Sequence, residues 1–239
     1  MFYNDLAQIP VPAKFYSSAG VRKASKEEFQ MNLKKIWAQQ FRRPSGILGH
    51  YAAGFMKKNN FPYYEEMVEL LDIQDCDRVL EIGCGDGHAV KLISGKNTQC
   101  RIDAIDFSDL MLRKAKKNNH QCLRNGRVRL FEGDFRMFDR FDCRYTAVFA
   151  INVVYFWNNL EEPFRKVHNL LEKNGRFIFY MSSPERIDKI PFAVKDVFNR
   201  HSLEKVKEVL IETGFENLKV TTEVKNGTDT YYVKAVKHR

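Results

Sequence analysis

The chain has 239 residues, 44% hydrophobic and 29% charged, enough for one sizeable core with an ordinary globular balance. No apolar run approaches the ~20 residues that span a bilayer, and the opening stretch, with Pro10 and Pro12, does not read as a secretory signal. The formal net charge of +9 favours anionic partners, nucleic acid among them. The basic residues are dispersed, however, in short knots at Arg42-Arg43, Lys57-Lys58 and Lys114 to Lys117, so a nucleic-acid partner is possible but not favoured. Five cysteines, an odd number with no Cys-x-x-Cys pair, suggest neither a zinc ribbon nor a disulfide framework. A cytoplasmic protein without a bound metal is the expectation.

Residues 1 to about 25 hold Pro10, Pro12 and Gly20 and read as an arm. Ser25, with Glu28 three residues on, forms a capping box, and Phe29, Leu33, Ile36 and Trp37 then share one helical face. Arg42 to Gly46 breaks that helix. A second helix runs from about Ile47 to Lys58 and is ended by Asn59, Asn60 and Pro62. We divide the chain here, into an N-terminal arm and helical lid over 1–60 and an α/β unit over 61–239.

Strands and helices then alternate. A helix over Tyr63–Leu71 precedes a strand at Arg78–Ile82 and a helix at His88–Ser94. A strand at Arg101–Ile105 leads to a helix capped by Ser108 and ending near Asn118. Further strands fall at Val128–Phe131, Tyr145–Ala150 and Gly175–Met181, with a helix at Leu160–Glu172 before the last of them. A helix capped by Ser202 stops at Gly214. Two closing strands, about Glu216–Val224 and Thr230–Val236, join through Asn226-Gly227 as an antiparallel hairpin. This order predicts a Rossmann-like, doubly wound, seven-stranded sheet, mostly parallel. Ligands of such sheets bind beyond the carboxyl ends of the strands.

The first strand delivers the most informative motif, Glu81-Ile82-Gly83-Cys84-Gly85-Asp86-Gly87-His88. Its glycines let the backbone turn sharply and approach a ligand closely, and the following helix begins with free N–H groups. A dinucleotide fingerprint needs its third glycine at 88, where His88 stands, and a phosphate loop needs Gly-Lys-Ser/Thr, which is missing.

This loop resembles motif I, E-x-G-x-G-x-G, of the class I S-adenosylmethionine-dependent methyltransferases, and the resemblance continues over residues 62–236. Asp106-Phe107-Ser108, with Met111, looks like the family's acidic end of strand two. Glu132-Gly133-Asp134-Phe135 resembles its G-D-x element, and Asn152 to Trp157 its fourth strand end. Leu171 to Phe177 is similar to its L-x-P-G-G-R-x turn, with Asn174 in place of a glycine. The resemblance implies S-adenosylmethionine as cofactor, with S-adenosylhomocysteine as product. It implies a cofactor site of Glu81, Gly83, Gly85, Gly87, Asp106, Phe107, Met111, Asp134, Phe135 and Asn152. Asp106 would hold the ribose hydroxyls, Asp134 the adenine amino group, and Phe135 would cover the ring.

Methyl transfer from a sulfonium needs alignment and dryness more than a fixed constellation of acids and bases. His50 and Tyr51, on the lid, are the candidate catalytic residues; His168 and His201 read as packing or surface histidines, and His88 as a packing residue beside the cofactor. Without Asn/Asp-Pro-Pro-Tyr, a Pro-Cys nucleophile or an RNA-binding module, a small-molecule acceptor is expected, lipid-like or a secondary metabolite. An RNA methyltransferase with a dispersed basic face, or a non-catalytic cofactor-binding scaffold, are the alternatives. Oligomeric state is open, and the acceptor pocket lies either under the lid or around Tyr155 and the loop Ser182–Arg200.

Overall fold

The computed structural model describes residues 26–96 and 99–238. The arm, and with it the expected Ser25 cap, lies outside the described residues. Two helices come first, α1 (Lys26–Arg42) and α2 (Gly46–Leu71), and β1 (Arg78–Ile82), α3 (His88–Lys96), β2 (Arg101–Asp106) and α4 (Asp109–Asn118) follow. Next are α5 (His120–Arg124), β3 (Val128–Glu132), β4 (Tyr145–Ile151), a single 3-10 turn at Val154–Phe156, α6 (Glu161–Leu170) and β5 (Leu171–Ser182). The chain continues through α7 (Pro184–Asp188), α8 (Leu203–Glu212), β6 (Glu216–Lys225) and β7 (Thr228–Val236).

The seven strands form one sheet in the order β3-β2-β1-β4-β5-β7-β6. The first five pair in parallel, and β7 runs antiparallel to both β5 and β6. Asn226 and Gly227 both take positive φ (55° and 67°) in the closing turn, as a two-residue hairpin of this twist demands. Side chains alternate across the sheet, so each strand feeds two cores. Leu80, Val148, Phe177 and Phe179 face the side covered by α6 and α8. Val79, Phe149, Ile178 and Tyr180 face the side covered by α2 and α3.

Local chemistry sets several boundaries as the sequence predicts. Ser108 accepts a hydrogen bond from the Met111 N–H and caps α4, and Ser202 accepts from Lys205 and caps α8. Asn174 takes the left-handed conformation, φ 63°, which asparagine tolerates in place of glycine. There β5 begins earlier than expected: Leu171 already pairs with Tyr145, and the register slips before Arg176 meets Ala147. The short helix α7 was not expected, although Ser183 caps it and Pro184 opens it.

The larger correction concerns α2. The expected break at Asn59, Asn60 and Pro62 is not there, and one 26-residue helix runs through Pro62. Proline removes one helical N–H, which leaves the Lys58 carbonyl to solvent on an exposed turn. Packing downstream holds the helix together against that loss. Tyr63, Tyr64, Met67, Val68 and Leu71 are buried on the sheet. Its end is clamped by Arg176, whose guanidinium donates to the Leu71 and Asp72 carbonyls and to the Asp77 carboxylate. The division placed at residue 60 therefore falls inside a helix that belongs to both parts.

Candidate active site

The carboxyl ends of β1, β2, β4 and β5, with the turn after β3, open into one cleft of about 220 Å³. Gly83 and Gly85, Asp106, Asp134, Asn152 and Ser182 line it from those ends, and the inner face of α2 roofs it. Met111 and Phe107 line it from the start of α4.

The glycine loop is shaped by what surrounds it. Gly83 takes φ 72°, donates its N–H to the Ile105 carbonyl at 2.8 Å, and has Val153 so near that an added Cβ would lie 2.5 Å from its Cγ2. Gly87, expected to meet cofactor, does not line the cleft. An added Cβ there would meet the Asn119 amide at 2.5 Å and the Ala115 backbone at 3.2 Å, so Gly87 permits the close approach of α3 and α4.

Asp106 ends β2 with its carboxylate fixed by two backbone donors, Gly85 N–H and Ser108 N–H, at 2.8 Å each. Among the described residues no side chain pairs with it as an ion. Burial is the largest influence and pushes its carboxyl up to about 6, against the lowering effect of those backbone donors. Ser108 also donates to the Pro44 carbonyl at 2.6 Å, so the turn before α2 is tied to the residue that holds Asp106.

Asp134 lines the cleft with its carboxylate gripped by Arg136, through Nε at 3.1 Å and an η nitrogen at 2.5 Å. Burial opposes its ionisation, but the Arg136 hydrogen bonds outweigh burial and hold the carboxyl below its ordinary range. Asn152, at φ 60°, donates its side-chain amide to the Asn60 side-chain carbonyl at 3.2 Å, which joins the end of β4 to α2.

Four further residues expected in the site do not line the cleft. Glu81 is 1% exposed and lies beneath the loop rather than in the cleft. One of its oxygens has no hydrogen-bond partner among the described residues; burial first, then the nearby Asp86 and Asp106, raises its carboxyl well above the usual range. Phe135 packs in the core, its ring centroid 6.2 Å from that of Trp157, and Arg136 rather than Phe135 reaches the cleft. His50 and Tyr51 do not line the cleft, and Tyr51 is 60% exposed. The helical face that turns inward carries Ala53, Met56, Asn60, Tyr63 and Tyr64 instead. His88 sits against Phe61 and Tyr64, at 5.1 and 5.2 Å between ring centroids, His168 against Phe215, and His201 on the Trp157 carbonyl at 2.8 Å. All three are held in packing roles, and burial holds each below its ordinary pKa.

Tyr63, Tyr180, Arg186, Phe192 and Phe198 line the cleft and were not singled out from sequence. They come from α2, β5 and the α7 segment, and Phe192 stacks on Phe41 of α1 at 4.1 Å. The cleft thus takes residues from under α2 and from around Tyr155 together.

A family model described as "Methyltransferase domain" matches residues 80–177, from β1 to the middle of β5. A Bacillus subtilis protein named as a methyltransferase, YrhH, is 31% identical over 111 residues, 46% of this chain; the chain spans 61% of YrhH's length. YdaC, named an uncharacterized methyltransferase of the same organism, is 24% identical over 169 residues, 70% of this chain and 88% of YdaC. The solved structure of a Haemonchus contortus phosphoethanolamine N-methyltransferase 2, in complex with phosphomonomethylethanolamine and S-adenosylhomocysteine, shares the fold. It superposes with a TM-score of 0.68 at 13% identity, over 85% of this chain and 61% of that one. Its sheet order, glycine loop and matched domain make residues 80–177 similar to the methyltransferase domain of the class I S-adenosylmethionine-dependent methyltransferases. S-adenosylmethionine is the cofactor of that family. None of the described helices is long and apolar enough to cross a membrane.

Proposed function

We propose that the protein transfers a methyl group from S-adenosylmethionine to a small-molecule acceptor bound under α2. The observation that carries this reading is Asp106: a buried carboxylate at the end of β2, facing the cleft, without a cationic partner among the described residues. Two backbone N–H groups fix its orientation and leave lone pairs for a diol, which is the acceptor set that ribose hydroxyls require. The close approach of backbone at Gly83 and Gly85 suits the same ligand.

When bound, the cofactor supplies a methyl group already activated on a sulfonium, open to in-line displacement. Asp106 accepts the ribose hydroxyls. Asp134, steadied by Arg136, accepts from the adenine amino group, and Met111 and Phe107 give the apolar walls beside it. Asn152 and Asn60, joined side chain to side chain, mark where the fourth strand end passes from the cofactor part of the cleft to the acceptor part. The roof of α2 and the aromatic wall exclude water, and alignment carries the reaction.

The test is transfer of deuterated methyl from S-adenosylmethionine to a mixed small-molecule extract, read by mass spectrometry. A labelled small molecule is the expected product. Label that appears only in added RNA, or nowhere, contradicts the proposal.

A further inference from the structure

The half of the cleft beyond Asn152 holds a positive charge that nothing nearby neutralises. Arg186 of α7 lines it, half-buried. Its guanidinium donates to the Lys225 carbonyl at 2.7 Å, to Thr228 Oγ1 at 3.5 Å and to the Tyr63 hydroxyl at 3.3 Å. All three acceptors are neutral, and among the described residues no carboxylate stands within ion-pair distance of it. Three other half-buried arginines are neutralised, Arg136 by Asp134, Arg176 by Asp77 and Arg200 by Asp188. Arg186 is therefore fixed in place as a donor fork without its anion.

Two phenols flank it. Tyr63 stacks on Tyr180 with ring centroids 4.2 Å apart, and among the described residues the buried Tyr180 hydroxyl has no partner of hydrogen-bonding geometry. The cleft is also lined by aromatic side chains, Phe192 and Phe198 with Phe55 of α2. A charged donor with two hydroxyls in a cleft otherwise lined by aromatic side chains fits an amphiphile. A single guanidinium matches a monoanion whose two oxygens take parallel N–H bonds.

Resting on the methyltransferase reading above, we propose that Arg186, with Tyr63 and Tyr180, anchors a carboxylate on an otherwise apolar acceptor and so determines acceptor class. Arg186 acts by binding and orienting that acceptor.

Three probes with one apolar body test it: 4-phenylbutanoate, 4-phenylbutanamide and 4-phenylbutyl phosphate. Binding is followed by saturation-transfer NMR on the full chain, with and without S-adenosylhomocysteine. The acid should bind about tenfold or more tighter than the amide. Arg186→Gln should bring the two to parity, and Arg186→Lys should keep part of the preference. Both variants should bind S-adenosylhomocysteine as the wild type does, which also shows that they are folded. Equal binding of acid and amide to the wild type, or a preference that survives in Arg186→Gln, overturns the anchor; tighter binding of the phosphate overturns the carboxylate assignment. Wild-type protein that fails to bind S-adenosylhomocysteine sinks the methyltransferase reading instead, while an acid preference lost in Arg186→Gln would still support the anchor.

Discussion

Asp106 joins fold and chemistry in one side chain. Its two backbone bonds orient it, and burial keeps its carboxyl near 6 instead of the ordinary 3.8. The sign has two consequences. For the unliganded fold, the protonated form is favoured, so the contribution to stability is full below about pH 3.8 and is lost as pH rises through about 6. For ligand binding the order reverses, because only the ionised form accepts both ribose hydroxyls. Affinity for S-adenosylhomocysteine should rise with pH through about 6, with calorimetry at pH 5 giving binding roughly tenfold weaker than at pH 7.5. In Asp106→Asn that dependence should vanish; its persistence would remove Asp106 from the ribose site. Asp106→Ala should leave the far-ultraviolet spectrum unchanged and weaken binding by about 1.5–3 kcal/mol, as for hydrogen bonds to a charged group. This residue was legible in the sequence because a carboxylate at a strand end after a glycine loop has few other uses. Arg186 was not, since its meaning depends on Tyr63, more than a hundred positions away, and on Lys225 in the closing hairpin.

At the scale of elements, α2 decides the shape of the cleft. Its C-terminal half is part of the core, and its N-terminal half roofs the site and is tied down by the Pro44–Ser108 hydrogen bond. Amide exchange should reflect this split. Residues 63–71 should be protected with or without ligand, whereas 47–60 should exchange faster and slow when S-adenosylhomocysteine is added. Exchange over 47–60 that ignores the ligand would make this half a passive cover. The sheet strands and capped helices were readable because hydrophobic period and caps act locally. Pro62 and the two asparagines gave an equally local signal for a break, and burial of the following turn on the sheet overrode it. The inward face of α2 was not readable for the same reason: it is set by docking against β5 and α3, not by the helix's own sequence. His50 and Tyr51 are exposed and do not line the cleft. Their alanine variants should bind S-adenosylhomocysteine as the wild type does, within about 0.5 kcal/mol by titration calorimetry, as surface substitutions away from special features usually do. A larger loss in either would return that turn to the site.

The molecule as a whole combines a widely shared sheet with a particular cleft. Structures at 13% identity superpose on it well, so the fold alone assigns no acceptor, and function has to be argued from the side chains of the cleft. The charge of +9 is dispersed, and Arg186 is the charge we propose for the acceptor end. The central claim, that this cleft takes S-adenosylmethionine rather than a dinucleotide, is tested most directly by thermal unfolding with each ligand. A ligand present at a hundred times its dissociation constant stabilises the native state by about 2.7 kcal/mol. For a chain of this size that raises the melting temperature by roughly 5–10 °C. S-adenosylhomocysteine should produce such a rise and NAD none. A rise with NAD and none with S-adenosylhomocysteine would contradict the account.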